Sequence, residues 1–110
     1  MSKTTFIYAI RSRKWVKIGF TNNVKQRLST IQTCNPTKVH LEGYVIGTNE
    51  EERQIQWVLN HTRTRGEWFQ YVGFTVEIVA KIRELDTASD VLRWIKEICE
   101  KRLKECEGAN

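Results

Sequence analysis

The first residues of the chain alternate apolar and polar positions in two short runs. Residues 6–10 read FIYAI and residues 15–21 read WVKIGFT, with the polar segment RSRK between them. Two alternating runs joined by a short polar segment are typical of an antiparallel hairpin. We therefore expect Tyr8 and Lys17, on adjacent strands, to lie side by side on one face of a sheet.

The pattern then changes to helical spacing. Val24, Leu28 and Ile31 recur at three- and four-residue steps, which predicts a helix. Residues 21–23 read TNN and supply the small polar side chains that cap helices. Because Arg27 lies three and four residues from Val24 and Ile31, we expect its stem beside the packed face and its guanidinium beyond the sheet edge.

A third strand and a second helix follow. Residues 40–47 contain enough alternating apolar positions to form the strand. Residues 48–51 read TNEE, a capping box that opens a helix. Ile55, Val58 and Leu59 mark the buried face of that helix.

After residue 73 the pattern is helical to the end. Thr75 can cap a segment that runs to Leu85, and a last helix is expected from about Asp90 to Glu105. One stripe of this last helix consists of Leu92, Ile95, Cys99, Leu103 and Cys106. The stripe either packs on the domain's own sheet or forms a homodimer or partner surface.

A chain of 110 residues is long enough for one domain with a single modest core. We place a core at residues 1–73 and a C-terminal helical extension, packed on the same domain, at residues 74–110. The net charge is +5, and the first of these segments holds 11 Lys or Arg against 5 Asp or Glu. This favours a polyanionic partner, although many small cytosolic domains are mildly basic.

Basic side chains of the core are interleaved with aromatic ones, a mixture that suits phosphate contacts and base stacking. Glu67 can form a salt bridge with Arg63 or Arg65, which are both close in sequence. The candidate nucleic-acid contacts are Lys14, Trp15, Lys25, Lys38, Arg63 and Arg65.

The three cysteines include no Cys-x-x-Cys pair. They indicate neither a disulfide framework nor a structural zinc site, and reduced thiols fit a cytoplasmic protein. No apolar run approaches the roughly 18 residues of a membrane span, and the N-terminal residues contain no secretory signal. We expect a cytoplasmic location and no membrane partner.

Glu52 is an acidic residue that the helix start does not explain. Residues 50 and 51 suit the positive end of the helix dipole. Glu52 instead lies three and four residues before Ile55 and Gln56, at the edge of the face that turns towards the sheet. A carboxylate there needs a cation, which a divalent metal or Arg27 supplies.

Five short segments occur in the order of a known family: FIY at residues 6–8, KIGFT at 17–21, Arg27, Glu52 and GEWF at 66–69. Together they resemble the GIY-YIG nuclease superfamily. They look most like its phage-type branch, named after bacteriophage T5 open reading frame 172 and meiotically up-regulated gene 113. The resemblance covers about residues 4–73.

This resemblance implies an α+β fold, with a three-stranded antiparallel sheet flanked by helices. It also implies a single Mg²⁺ or Mn²⁺ held by Glu52, a water activated or oriented by Tyr8, and a phosphate stabilised by Arg27. Lys17 joins these as a candidate catalytic residue. The motif positions with structural roles fall on Gly19, Gly66, Glu67 and Trp68.

Four positions depart from the family pattern. Lys17 stands where better-studied members have a second Tyr, and Ile31 and Gln56 stand where many members have His. Glu67 is nearest by spacing to a late Asn. An ammonium at Lys17 can offset charge that develops on a phosphate, or it can hold DNA without cleavage.

Two function hypotheses follow. The first is a metal-dependent endonuclease that hydrolyses DNA, and the second is a catalytically inactive module that binds nucleic acid or a partner protein. RNA is an open alternative to DNA. Each residue also has a structural alternative, since Tyr8 suits a half-buried strand, Arg27 a surface ion pair and Glu52 a helix start.

Overall fold

The computed structural model describes residues 3–108. The strands over this range are β1 (Phe6–Ser12), β2 (Trp15–Thr21), β3 (His40–Ile46), β4 (Arg63–Arg65) and β5 (Trp68–Gln70). The helices are α1 (Val24–Thr33), α2 (Asn49–Val58), α3 (Phe74–Glu84) and α4 (Ala88–Gly108), with one 3₁₀ turn at Asn60–Thr62. The fold is α+β, and the strands form one antiparallel sheet in the order β3-β1-β2-β5-β4.

The predicted hairpin between β1 and β2 is confirmed. Its register places Tyr8 opposite Gly19 and Ile10 opposite Lys17. Residues paired directly across two strands project from the same face. Lys17 therefore lies on the same face as Tyr8. It is two residues further along the hairpin than Gly19, which is the direct partner of Tyr8.

The sheet separates two hydrophobic clusters. The larger, here called the main core, lies between the sheet and helices α2, α3 and α4, and it is built around Ile7, Val16, Ile18, Val45, Ile55, Leu59, Phe69, Ile78, Val79, Ile82 and Val91. The smaller, here called the minor core, lies on the face covered by α1. It contains Tyr8, Ile10, Ile31 and Val39. Strand alternation explains the division, because Ile7 points into one cluster and Tyr8 into the other.

The expectation of three strands is wrong, since the sheet has five strands within residues 3–108. The two additional strands, β4 and β5, form a hairpin of three-residue strands that pairs with β2. Every residue of β4 is exposed, so the sequence there carries no apolar alternation. The GEWF segment supplies the turn and the start of β5, and Gly66 adopts a φ of 58° in that turn.

Helix α2 begins as expected, with the capping box between Thr48 and Glu51. The expected cap at Thr75 is wrong, because α3 begins at Phe74 after Gly73, whose φ is 53°. Thr75 is instead buried, and its hydroxyl is 2.9 Å from that of Thr62.

Helix α4 begins two residues earlier than expected, where the Thr87 hydroxyl accepts a hydrogen bond from the Asp90 backbone N–H at 3.2 Å. Its first half packs on the main core through Val91 and Ile95. The expected stripe continues through Cys99, Leu103 and Cys106, but all three are exposed. The second half of α4 thus leaves an apolar stripe uncovered, and the homodimer stays a prediction. Within residues 3–108, no helix is both long and apolar enough to span a membrane.

Candidate functional site

Tyr8 lies at the centre of the candidate site. Its side chain is only 1% exposed, and its phenol ring lies directly over Gly19, the residue opposite it on β2. A Cβ atom at Gly19 would be 2.2 Å from the Tyr8 hydroxyl oxygen. The glycine is therefore required by the close approach of the phenol.

Glu52 lies on α2, one turn before Gln56. The Gln56 Nε2 donates a hydrogen bond to the Ile18 carbonyl at 2.7 Å, while the Ile18 N–H donates to the Glu67 carbonyl at 3.1 Å. These bonds fix α2 and the β4–β5 turn against β2, immediately before Gly19. Glu52 is 5% exposed, and its Oε2 atom is buried without a hydrogen-bond partner.

Burial without a partner disfavours the charged form of a carboxyl group. Burial raises the pKa of Glu52 to about 7, and the negative charge of Glu67 adds to this, while Arg53 opposes it. A carboxylate in this position is stabilised by any cation that reaches the free Oε2 atom. The carboxyl group at this position can therefore be neutral with a proton, or ionised with a cation at Oε2.

The environment of Tyr8 shows which groups converge on it. Burial raises the pKa of Tyr8 to about 12, with a further increase from the charge of Glu67. Arg27 lowers it and Glu52 raises it. The guanidinium of Arg27 and the two carboxylates therefore lie close enough to the phenol for their charges to act on it.

Arg27 approaches this pocket from α1 and is exposed. The helix start is fixed by Asn23, whose side chain accepts a hydrogen bond from the Gln26 N–H at 3.0 Å. Arg27 lines a depression of about 290 Å³ together with Thr21 and Thr30. An exposed guanidinium at the rim of a buried phenol is well placed to bind a phosphate in two-point contact.

Lys17 is less closely associated with Tyr8 than the hairpin pattern suggested. Its Nζ atom is 3.8 Å from Glu67 Oε2 and 5.7 Å from the centroid of the Trp68 ring. The expected salt bridge from Glu67 to Arg63 or Arg65 is therefore wrong. Arg63 donates instead to the Gln56 Oε1 at 3.2 Å. Glu67 thus faces Lys17 on one side and the Tyr8 pocket on the other.

The remaining nucleic-acid candidates fall into two groups. Trp15 and Arg65 line one cleft together with Trp68, and the Lys14 ammonium lies 5.1 Å from the centroid of the Trp15 ring. The other candidates lie elsewhere: Lys25 is exposed on α1, Lys38 lines a separate groove with Arg11 and His40, and Arg63 lies over Phe69.

A divalent ion fits the donor set at one point. Within residues 3–108, no group of three or more His, Cys, Asp or Glu side chains could hold an ion. Mg²⁺ is commonly bound by only one or two carboxylates, with water and substrate phosphate completing its shell. Glu52, with its free oxygen, meets this minimum, and Glu67 is the second acid whose charge reaches the pocket.

Two contributors to the pocket were not identified as such from the sequence. The charge of Glu67 acts on both Tyr8 and Glu52, whereas the sequence marked Glu67 as a motif position and as a salt-bridge partner of Arg63 or Arg65. Gln56 attaches α2 to the strand end. A polar residue on the apolar face of α2, four residues after Glu52, was the available signal for Gln56.

The chain forms a small α+β domain in which a buried phenol lies over a strand glycine, and the charges of a buried acid and an exposed guanidinium act on that phenol. The model of the T5orf172 domain matches residues 5–99, and the chain belongs to that family. The match includes α3 and the first half of α4, beyond the motif segments. Comparison with curated proteins found no match, and comparison with solved structures found none. Family membership is compatible with a nuclease-like or DNA-binding role.

Proposed function

We propose that the protein is a metal-dependent endonuclease that hydrolyses DNA phosphodiester bonds through a site of the GIY-YIG type. The observation that carries this proposal is the buried, unpaired Oε2 atom of Glu52, together with the action of the Glu52 and Arg27 charges on the pKa of the Tyr8 phenol. A fold that served only for stability would pair or expose such a carboxylate. Its burial supports a role that needs a ligand.

Each side chain of the pocket has a chemical task in this proposal. Since the pKa of Tyr8 is about 12, the phenol is protonated near neutral pH and orients the attacking water through hydrogen bonding. Arg27 binds non-bridging phosphate oxygens and offsets the charge that develops as the bond breaks. Lys17 adds positive charge at the adjacent phosphate position.

Glu52 would hold one Mg²⁺ or Mn²⁺, with Glu67 as a second acid at the pocket. When bound, such an ion polarises the phosphate and favours ionisation of a bound water. The Glu52 carboxyl must be ionised to bind it, and the cation replaces the solvent that burial removes. Occupancy is therefore expected to rise with pH through the region of the raised pKa, which is about 7.

Cleavage of supercoiled plasmid with Mg²⁺ or Mn²⁺ tests this proposal. We expect the wild type to nick the plasmid, and Glu52→Gln or Arg27→Ala to cut at least about 100-fold more slowly, as for loss of one charge-stabilising group in other enzymes. Glu50→Gln is the matched control, because Glu50 is exposed on the same helix. Equal rates for Glu52→Gln and Glu50→Gln would contradict the proposal.

The alternative is a DNA-binding module without turnover. It is favoured by the pairing of Lys17 with Glu67 at 3.8 Å, because this pair occupies the place of the second tyrosine of the family pattern. In the plasmid assay, this alternative predicts DNA binding that Arg27→Ala weakens, with no cutting by the wild type in either metal.

A further inference from the structure

The cleft lined by Trp15, Arg65 and Trp68 differs in chemistry from the surroundings of Tyr8. It has a volume of about 290 Å³, near the lower end of the roughly 300–1,000 Å³ range of ligand sites. This size suits one planar ring system better than a longer segment of chain. The residues that line it are Ser12, Trp15, Asn35, Thr64, Arg65 and Trp68.

Two indole rings and a guanidinium provide three flat surfaces around the cleft. Trp15 and Trp68 are both half-buried, so their rings are partly available while their positions are fixed. Trp68 packs against the minor core, and Arg65 is exposed on β4 with no salt bridge to the residues that the structure describes. Indole and guanidinium planes are the groups on which nucleobases stack in single-strand binding proteins.

The cleft also contains hydrogen-bonding groups suited to the edge of a base. Ser12 and Thr64 present hydroxyls, and Asn35 presents an amide that can both donate and accept. Lys14 and Lys17 lie over the rings of Trp15 and Trp68, at 5.1 and 5.7 Å from the ring centroids, so a base would stack on the ring surface that each ammonium leaves free. These ammonium groups add positive charge next to the cleft, which favours binding of a phosphate backbone.

The cleft lies on the same side of the sheet as Tyr8, because Trp68 packs against the minor core that contains Tyr8. Lys17 is paired with Trp68 across β2 and β5, and Trp15 is two residues from Lys17 on the same face, or roughly 7 Å along the strand. Trp68 also follows Glu67, whose charge acts on Tyr8. A strand with its phosphate at Tyr8 that runs along this face would pass Lys17 before it meets the cleft.

We propose that the cleft formed by Trp15, Arg65 and Trp68 binds one unpaired base of a DNA strand. This inference rests on the proposed function for the position of the phosphate, and it adds the substrate class. Both faces of a base are stacked inside a duplex, so a base can enter the cleft only from single-stranded or locally unpaired DNA. The preferred substrate is then a strand that is open beside the cleavage point.

The test is binding of a fluorescent single-stranded oligothymidylate, and of a duplex of equal length, in EDTA so that no cleavage occurs. Trp15→Ala and Arg65→Ala should each weaken binding of the single strand, by about tenfold for Trp15→Ala, and change duplex binding much less. Trp15→Phe should retain most of the affinity, because it keeps a stacking ring. Arg65 is exposed and lies outside both hydrophobic clusters, so its substitution tests the cleft without removing a core side chain.

Two surface residues serve as matched controls. Trp57 is 78% exposed on α2 and lies outside the cleft, and Arg93 is exposed on α4. We expect Trp57→Ala and Arg93→Ala to leave the single-strand affinity unchanged. Equal losses for the single strand and the duplex, or losses no larger than those of the controls, would overturn the proposed cleft.

This result is independent of the cleavage assay. If Trp15→Ala selectively weakens single-strand binding while plasmid is never cut, the base cleft stands and the hydrolytic function fails. If plasmid and linear duplex are cut equally well and the cleft variants bind both probes like wild type, the function stands and the cleft fails.

Discussion

The two faces of the sheet carry hydrophobic clusters that differ in size and polarity. The main core is an apolar layer in which Ile7, Ile18 and Ile78 have no exposed surface. The minor core is a small cluster whose largest member, Tyr8, carries a polar hydroxyl and is surrounded by charged groups at its rim. The main core supplies most of the apolar burial, while the minor core includes a polar hydroxyl that is costly to bury.

A destabilising polar group also occurs on the side of the main core. Glu52 belongs to α2, a helix that packs on the main core through Ile55 and Leu59. Its carboxyl group has a buried oxygen without a partner. Proteins accept such destabilising groups mainly where they are used. Substitutions in the main core and substitutions at the site should therefore have separable effects.

The largest loss of stability is expected in the main core. Ile78→Ala removes a fully buried side chain on α3 and should lower the free energy of unfolding by about 2–5 kcal/mol. Urea denaturation would measure it, with Val76→Ala, 37% exposed on the same helix, as control. Metal binding by the folded fraction should persist, and its loss in Ile78→Ala would show that the two faces are not separable.

Glu52→Gln should stabilise the metal-free protein at alkaline pH. The folded-state pKa of Glu52 is about 7, above the ordinary value of 4.5 for a glutamate. The contribution of this group to folding stability is therefore full below the ordinary value and is lost as pH rises through 7. Gln is neutral throughout, so the variant should gain up to about 3 kcal/mol by about pH 9 and nothing near pH 4.

Thermal unfolding in EDTA across this pH range would measure the difference between Glu52→Gln and wild type. Glu50→Gln should show no such gain, because Glu50 is exposed. A difference that does not vary with pH would mean that the Glu52 carboxyl is not held in a desolvated site.

Gly19→Ala should disrupt the site face by steric conflict. The added Cβ would lie 2.2 Å from the Tyr8 hydroxyl, so the phenol must move, at a cost of about 1–3 kcal/mol. Combining Gly19→Ala with Tyr8→Ala should remove this cost, since the clash disappears. A double-mutant cycle on unfolding free energies would measure the coupling, and additive effects would contradict the close packing.

The smallest effect is expected at the surface ion pair between α3 and α4. The hydrogen bond from Arg102 holds the pKa of Glu77 below its usual range. A lowered pKa gives stability that is present above the unfolded-state value and is lost as pH falls through the folded-state value. Because both side chains are largely exposed, Glu77→Gln should lower the melting temperature slightly near neutral pH and not in acid. A difference that persists in acid would contradict this.

Much of the fold could be predicted from local sequence patterns. The alternation around Tyr8 and Lys17 predicted the hairpin, and the sequence at residues 48–51 predicted the capping box, because both depend on neighbours in the chain. The β4–β5 hairpin was missed because its outer strand is polar and exposed. A local sequence pattern does not reveal a strand that is held only by pairing with another strand.

The sequence identified the residues of the candidate site but not their spatial arrangement. Tyr8, Arg27 and Glu52 were identified, and the charges of Arg27 and Glu52 both act on the pKa of the Tyr8 phenol. The partner of Glu67 was wrong, because the choice of Lys17 over Arg63 or Arg65 depends on how β5 pairs with β2. Sequence spacing places charges on elements, but only tertiary packing decides which of them face one another.

Binding of Mn²⁺ is the most direct test of the claim that Glu52 forms part of a metal-dependent site. Electron paramagnetic resonance titration should detect one bound ion per chain in the wild type and in Glu50→Gln, and none in Glu52→Gln at the same ion concentration. This readout needs no substrate and no cleavage. Equal Mn²⁺ binding by Glu52→Gln and wild type, or no binding by the wild type, would contradict the role assigned to the buried carboxylate.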